Sequence, residues 1–503
     1  MARRDVLSQW HTEVPRGLPV GQKWTSSRAA ASVVDAWTQE HLTEVPNGSE
    51  ELASIALEHA DELRHDFRRT SAATRKRLVQ QCAMRLSSRR GQLEDLLILE
   101  TGKPRRDCRT EVARTLSCWE ASAEEVGRDQ GELVPVDLQP GGENMLAWYQ
   151  RRPLGTVVAI AGFNYPLLLA SHKVAPALAV GAPVILKPAP ATPLSALWLT
   201  ALIREALVEG CLPPGLIQCI TGGPDVGDAL VNDDRAAVVS FTGSAKVGHA
   251  IARTAAPRRT VLELGSNAAL VVTRSADIEE VVRAVVRGGF YANGQACIAV
   301  QRLIVLDDVD ATFEARLSEA VEQVVLGDPW DEQTEVAALI NGRAGAHVAA
   351  SVEGAVQRGA QILAATPRPP GIRPGLEEAL VTPQVLTDVG TDDPLWREEI
   401  FAPVVCLHRV KDIHEAIQLV NDSRYGLQAA IYTGDLAEAH LAIDELEVGG
   451  VVVNQIPGFR SDVMPYGGVK DSGIGREGPR WAAQEYTDIR MALVRVPDIG
   501  KGN

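Results

Sequence analysis

Cys297 closes the run Tyr291-Ala292-Asn293-Gly294-Gln295-Ala296-Cys297, and thirty-four residues upstream Glu263 sits in Val261-Leu262-Glu263-Leu264-Gly265-Ser266. A thiol and a carboxylate on two separate turns are the parts that thioester chemistry uses. Sulfur adds to a carbonyl carbon, and a carboxylate later takes a proton from water to release an acid. Neither residue type is diagnostic alone, because a lone cysteine packs as a small hydrophobe and a lone glutamate is usually a solvated charge. Their surroundings add the information. Glu263 ends the short β-prone run 260–262 and Gly265 follows, which places the carboxylate at a strand end beside a tight turn. Asn293-Gly294 is turn chemistry and puts the thiol on a loop, where function concentrates on rigid scaffolds.

The elements that must hold these turns are written in the periodicity. From residue 155, β-rich apolar runs (156–161, 183–187, 216–220 and 237–241) alternate with amphipathic helical stretches (167–180, 193–209, 226–232 and 245–254). Such a βαβ series implies a doubly wound parallel sheet, which binds nucleotides at the carboxyl ends of its strands. A second alternating series runs from 268 to about 478, starting with a strand at 269–273 and a helix at 278–290, with a Pro- and Gly-rich surface loop at 366–375. Residues 50–128 read as packed helices, with Leu52, Ile55 and Ala56 or Leu93, Leu96 and Leu97 three and four apart. The first 50 residues read as an arm over the body. Residues 132–152 alternate around Pro140-Gly141-Gly142, a hairpin signature, with 486–496 as its partner strand.

A chain of 503 residues exceeds what one core of roughly 250 to 300 residues supports, so two or three domains are expected. A formal net charge of −15 leaves no broad basic surface for a phosphate backbone, which excludes nucleic acid as a partner. Seven cysteines without a CxxC pair point to reduced thiols and a cytoplasmic location. The first residues are not followed by the roughly 7 to 15 apolar residues of a secretory signal, and no run reaches the roughly 18 needed to cross a bilayer, so no membrane is expected. Ten histidines show no ligand spacing such as HExxH, so no metal is expected. His172, beside Lys173, reads as a packing residue rather than a substrate contact.

Phe241-Thr242-Gly243-Ser244-Ala245-Lys246-Val247-Gly248 ends a strand and opens a helix, so free N–H groups and the helix dipole could face a pyrophosphate. A helix capped by Ser244 with no ligand fits the same residues. Lys187, in Leu186-Lys187-Pro188, ends another strand of the series, which could also be a strand finishing at the surface.

Together these segments closely resemble the NAD(P)-dependent aldehyde dehydrogenase superfamily, over residues 50–496. The resemblance rests on seven motifs in order: Gly162-Phe163-Asn164-Tyr165-Pro166, Leu186-Lys187-Pro188, Phe241-Thr242-Gly243-Ser244, Leu262-Glu263-Leu264-Gly265, Gly294-Gln295-Ala296-Cys297, Glu398-Glu399-Ile400-Phe401-Ala402-Pro403 and Pro465-Tyr466-Gly467-Gly468-Val469-Lys470-Asp471-Ser472-Gly473. It implies an α/β fold with a doubly wound cofactor domain (1–130 and 151–262), a second α/β catalytic domain (263–480) and a small β oligomerisation arm (131–150 and 481–503). It further implies Cys297 as nucleophile, Glu263 as general base and Asn164 as an oxyanion donor together with the Cys297 N–H. Hydride would pass from the adduct to the nicotinamide, leaving a thioester for hydrolysis. Lys187 would meet the adenosine ribose, Gly243 and Ser244 the pyrophosphate, and Glu399 the nicotinamide ribose, with Gly265, Phe163 and Phe401 beside the nicotinamide. The arm implies a homodimer or homotetramer.

Three positions depart from the common pattern: Phe163 stands for tryptophan, and Ser266 and Ala402 for glycines. Pro190, three residues after Lys187, stands where NAD-preferring members often carry a glutamate. Proline offers no carboxylate to repel a 2′-phosphate, so NAD or NADP is permitted. Retention of Glu263 points to a free carboxylic acid as product rather than acyl transfer to coenzyme A. The segment 459–468 resembles the branch acting on lactaldehyde, glyceraldehyde 3-phosphate and phosphonoacetaldehyde, and implies a substrate tunnel with Arg114, Tyr165, Phe459 and Arg460. Two guanidinium groups there could clamp a phosphate, phosphonate or carboxylate, whereas surface ion pairs would explain the same arginines without a substrate. A cofactor-independent thiol esterase and a non-catalytic relative remain as alternatives at this stage.

Overall fold

The computed structural model describes residues 2–128, 131–373 and 375–496. Residue 374 of the expected surface loop, and 497–503 at the end of the expected arm, lie outside the described residues, as do 1, 129 and 130 of the expected cofactor domain.

The expected βαβ series folds into a six-stranded sheet. Its order is Gly473–Ile474, Arg259–Glu263, Ala236–Thr242, Thr156–Ile160, Val184–Lys187 and Ile217–Cys219, with the last five mutually parallel. Thr156–Ile160, the first of this sheet's strands along the chain, therefore lies in the middle, with later strands added on both sides. That reversal opens a crevice beyond the carboxyl ends of Thr156–Ile160 and Ala236–Thr242, and these are the strands that lead into the Asn164 and Ser244 loops. The edge pair Glu263↔Gly473 and Leu262↔Ile474 is antiparallel and brings a segment from the end of the chain against the Glu263 turn.

A second, seven-stranded sheet runs Gln361–Ala365, Gln384–Thr387, Val404–Val410, Arg302–Leu306, Ala269–Val272, Gln428–Tyr432 and Gly450–Val453, parallel except at its first pair. Each sheet has its own apolar core: Val158, Ile185, Val239 and Leu262 belong to one, and Leu270, Ile304, Val405 and Ile431 to the other. Strands buried on both faces read as continuous apolar runs, which is how they show in the sequence.

Helices cover residues 50–125 as expected. Glu50–Arg69 starts where the Ser49 side chain accepts from the Leu52 N–H, with Glu50 and Glu51 in its first turn and Arg68 and Arg69 in its last, a charge order that suits the helix dipole. Arg105–Glu125 buries Cys108, Val112, Thr115 and Trp119, three and four residues apart.

Two expectations are corrected. The first 50 residues are more than an arm: a helix, Ala2–Glu13, and two short strand pairs join the apolar core of the six-stranded sheet, with Trp10 buried and its indole donating to the Leu194 carbonyl at 3.1 Å. The hairpin at 132–152 has only one full limb. Met145–Pro153 pairs along nine residues with Thr487–Arg495, as expected for the arm, but the preceding limb makes a single bridge, Leu133↔Trp148, before turning at Val136–Leu138. Pro135 lacks the N–H that would continue the ladder.

Candidate active site

Asn164 lies on the loop that follows Thr156–Ile160. The helix after it, Pro166–Val180, starts with proline, and two of its free N–H groups, those of Leu167 and Leu168, donate to Glu111 Oε1 at 2.9 and 3.2 Å. Glu111 is held in turn by the buried Lys103, whose ammonium lies 3.8 Å from the centre of the Tyr165 ring. The Asn164 Nδ2 donates to the Gln295 carbonyl at 2.9 Å, so the loop is tied to the turn that carries the thiol.

That turn is unusual backbone. Ala292, Asn293 and Gly294 all have positive φ (50°, 60° and 69°), a left-handed run that needs outside support. Asn293 supplies it: its Nδ2 donates to the Gly102 and Ala338 carbonyls at 3.2 and 2.7 Å, and its Oδ1 accepts from the Ala337 N–H at 2.8 Å. The Ala292 N–H donates to Asp107 at 2.9 Å. A side chain at Gly294 would run into the Ala402–Pro403 backbone. The turn that carries the thiol is thus set by contacts from distant parts of the chain, Gly102 and Asp107 on one side and Ala338 and Ala402 on the other.

One cavity of about 310 Å³ lies between the two sheets, and Asn164, Glu263 and Cys297 all line it. Arg114, Tyr165, Arg460 and Tyr466 form its further wall, while Phe163, Gly243, Ser244, Gly265, Glu399 and Phe401 line the side toward the crevice. Cys297 Sγ sits 3.1 Å from the Tyr466 hydroxyl. Burial pushes its thiol up to about 12, partly offset by that hydrogen bond, so Cys297 rests as a thiol. Glu263 is also buried and neither carboxyl oxygen has a hydrogen-bond partner. Burial, with the negative charge of Glu477 added, holds it well above the usual carboxylate range.

Arg460 and Arg114 are less free than surface guanidinium groups. Arg460 donates to Glu477 Oε2 at 3.0 Å, lies 3.2 Å from His172 Nδ1, and stacks 3.7 Å from the centre of the Tyr466 ring; its Nε is buried without a partner. Arg114 grips Asp462 with two bonds, at 3.1 and 2.9 Å. His172 is wholly buried between Asp462 (2.8 Å) and Glu477 (3.1 Å), and Lys173 completes the web at 3.0 Å from Glu477. Phe459 is not part of the cavity wall; it is 52% exposed. Its backbone carbonyl is used instead, accepting from Gln428.

The side toward the crevice carries polar groups without partners. The Thr242 hydroxyl is buried without a partner, and Ser244, at the start of helix Ala245–Ala255, is exposed and makes no cap bond, leaving first-turn N–H groups open to an anion. The Glu399 carboxylate accepts from the Ser266 N–H at 3.0 Å, and burial lifts it to about 7. It lies against Gly265 so closely that a side chain there would overlap it. Phe163 and Phe401 meet edge to face at 5.8 Å. Lys187 and Pro190 stand outside the cavity, on the neighbouring strand's carboxyl end. Lys187 donates to the Gly222 carbonyl at 2.9 Å, and Pro190 is exposed.

Residues 24–492 match the aldehyde dehydrogenase family. The chain belongs to that family. The 3-sulfolactaldehyde dehydrogenase of Priestia megaterium is 38% identical over 482 residues, covering 95% of this chain and 98% of that one. An aldehyde dehydrogenase from Physcomitrella patens, solved with the reaction product succinate, superposes with a TM-score of 0.91 at 32% identity, covering 96% and 99% of the two chains. The glyceraldehyde-3-phosphate dehydrogenase of Methanocaldococcus jannaschii, solved with NADP, gives 0.88 at 32% identity, covering 93% and 100%. The protein is an NAD(P)-dependent aldehyde dehydrogenase, which sets aside the esterase and non-catalytic readings.

Sequence reasoning passed over Tyr466, Asp462 and Glu477 as site residues. Tyr466 stood inside a quoted motif, and Asp462 two residues after Arg460, so both were within view. Glu477 carried no local signal, because its partners come from residues 172, 173 and 460.

Proposed function

We propose that the enzyme oxidises a short aldehyde bearing an anionic group at its far end, with Cys297, Asn164 and Glu263 carrying the chemistry. One observation supports this most: a single cavity is lined by that trio, by two arginines opposite, and by the nucleotide-facing residues. Cys297 Sγ adds to the aldehyde carbon, its proton passing to solvent, and the carbonyl π electrons move onto the aldehyde oxygen. The charge that develops on the aldehyde oxygen is met by the Cys297 N–H and by the Asn164 N–H not used on Gln295; losing one such donor costs about 2.7 to 4 kcal/mol of transition-state stabilisation. Gly243, Ser244 and Glu399 would hold the nicotinamide cofactor beside the adduct, where it would supply the hydride acceptor whose use leaves a thioester on Cys297. Glu263 then takes a proton from water as its oxygen attacks the thioester, and Cys297 leaves as thiolate. A carboxylate raised by burial is a stronger base once ionised, which suits that step.

The anionic end would lie against Arg114 and Arg460. Around them, Arg114, Arg460 and Lys173 outnumber Asp462 and Glu477 by one while Glu263 is protonated. The partnerless Nε of Arg460 offers a charge-assisted bond. The named substrates or products of the three relatives, a sulfonate, succinate and a phosphate ester, share an acidic group. NADP is accepted beside NAD, since no carboxylate occupies position 190. Assembly as a homodimer or homotetramer would cover Ile489, Met491 and Leu493, exposed on one face of the arm strand. Seven free thiols suit a reducing, cytoplasmic setting.

The test is a panel of acidic and neutral aldehydes of matched length, run with NAD and NADP in parallel and read by reduced-cofactor absorbance. Arg460→Ala raises KM for acidic aldehydes by roughly tenfold or more and spares neutral ones. Equal losses on both would remove the anion pocket.

A further inference from the structure

At the root of the arm, on the side of the cofactor domain away from Cys297, a cavity of about 240 Å³ is lined by Arg68, Arg75, Arg151, Arg152 and Arg480, with Glu125 its one carboxylate among the described residues. Five guanidinium groups gather there in a chain whose net charge is −15. Local packing explains some of them. Arg75 donates from Nε to the Ala179 carbonyl at 2.9 Å and from a terminal nitrogen to the Thr70 carbonyl, satisfying the end of helix Pro166–Val180. Burial nonetheless lowers the Arg75 pKa, with no carboxylate to offset the loss. Arg152 donates to the Gln150 amide, and Arg480 rests near the Trp481 ring. Among the described residues, no carboxylate lies within ion-pair distance of Arg68, Arg75, Arg152 or Arg480. Arg480 also occupies the first turn of helix Pro479–Glu485, where a cation opposes the dipole. Two polar atoms in this wall, Arg68 Nε and Glu125 Oε2, are buried without partners.

We infer that this cavity is a binding site for a small phosphate-bearing anion. A tetrahedral group with several acceptor oxygens can use guanidinium forks approaching from different directions. The partnerless Oε2 of Glu125 favours an occupant that also carries a donor, such as the P–OH of hydrogenphosphate or a hydroxyl of a phosphate monoester. The volume is below the roughly 300 to 1,000 Å³ of pockets for drug-sized ligands, which limits the occupant's size. The occupant would join three parts of the fold: helix Glu50–Arg69 through Arg68, the arm strand Met145–Pro153 through Arg152, and helix Pro479–Glu485 through Arg480.

Inorganic phosphate is the probe, titrated into the full-length enzyme by calorimetry and thermal denaturation at constant ionic strength, with chloride as the reference. Wild type gives saturable heat with one site per chain and a phosphate-dependent rise in Tm. Arg152→Gln/Arg480→Gln, two exposed positions, weakens Kd by about tenfold or more while kcat/KM for aldehyde is unchanged. Arg480→Gln alone, should the pair not fold, moves Kd in the same direction. Overturning results are an absence of saturable heat, an equal Tm rise with chloride, or the same Kd in the variants, which would place phosphate at the catalytic arginines. A change in assembly mass in the variants with no phosphate response would also overturn the inference, because a second copy of the chain would then fill the cavity.

Discussion

Glu263 and Glu477 are both buried, at 4% and 2% exposure, and both belong to the ionic surroundings of the catalytic cavity, yet their carboxyls are displaced in opposite directions. Burial alone would raise both. At Glu477 it is outweighed by Lys173, His172 and Arg460, at 3.0, 3.1 and 3.0 Å, which hold the group well below the usual range. At Glu263 no hydrogen bond opposes burial, and the charge of Glu477 adds to it. The site is therefore layered. Its rear is an ionic web whose carboxylates are paired and which leaves the Arg460 Nε open, and its front presents the Glu263 carboxyl without a hydrogen-bond partner, which a water or a substrate can engage.

The contrast is broken most severely by neutralising each carboxylate in turn. Glu263→Gln removes the base, so acid release falls by roughly 10²- to 10⁴-fold. Rapid mixing should then show a burst of reduced cofactor, up to one per active site, followed by slow turnover, while the denaturation midpoint stays the same or rises. Glu477→Gln leaves Lys173 and Arg460 with uncompensated charge and costs about 3 to 5 kcal/mol of stability, read from denaturant unfolding. Equal stability losses in the two variants would erase the distinction.

pH sharpens the same comparison. Because the folded-state pKa of Glu477 is depressed, its contribution to stability is present above the ordinary carboxylate value and lost as pH falls through the folded value. Glu263 is raised, so the stability associated with its protonated form is full below the ordinary value and declines as pH rises toward the folded one. The gain in stability from Glu263→Gln should therefore vanish at about pH 4 and grow with pH, whereas the loss from Glu477→Gln should be full at neutrality and shrink only in acid. Paired unfolding curves across pH would show both slopes. The rising limb of kcat should lie above the range of an ordinary glutamate.

What the sequence conveys about this layering is uneven. The front was legible because each of its residues sits on a turn with its own signature: Asn164 before Pro166, Glu263 before Gly265, Cys297 after Asn293-Gly294. Alternating strands and helices announced the parallel sheet, but not the strand order that places the crevice beside Thr156–Ile160, because order depends on which edge each strand joins. The rear was not legible. His172 meets Asp462 across 290 positions, and the polarity of either residue alone says nothing about the other. Phe459 and Arg460 show the same limit at shorter range: on an irregular segment no period tells which of two neighbours faces inward, and the guanidinium lines the cavity while the ring does not.

Asp462→Asn tests the joint between the layers. This carboxyl is held well below its usual range because His172 and Arg114 outweigh its burial, and it fixes Arg114 by two bonds. Weakening that grip should raise KM for acidic aldehydes by about tenfold, with kcat for neutral ones kept. A parallel fall in kcat for every aldehyde would instead mean that Asp462 supports the fold of the site as a whole.

The smallest expected effect belongs to Tyr466, which touches both layers: its ring lies under Arg460 and its hydroxyl 3.1 Å from Cys297 Sγ. Tyr466→Phe keeps the ring and so the cation–π contact, and removes only the hydrogen bond, which is among the influences lowering the thiol from an otherwise higher value. One such bond contributes about 1 kcal/mol, so alkylation of Cys297 by iodoacetamide should slow by roughly fivefold at a pH below its pKa, with KM little changed. An unchanged alkylation rate would mean that the hydroxyl leaves thiolate formation untouched, and that Cys297 depends for activation on groups brought in with the cofactor and substrate.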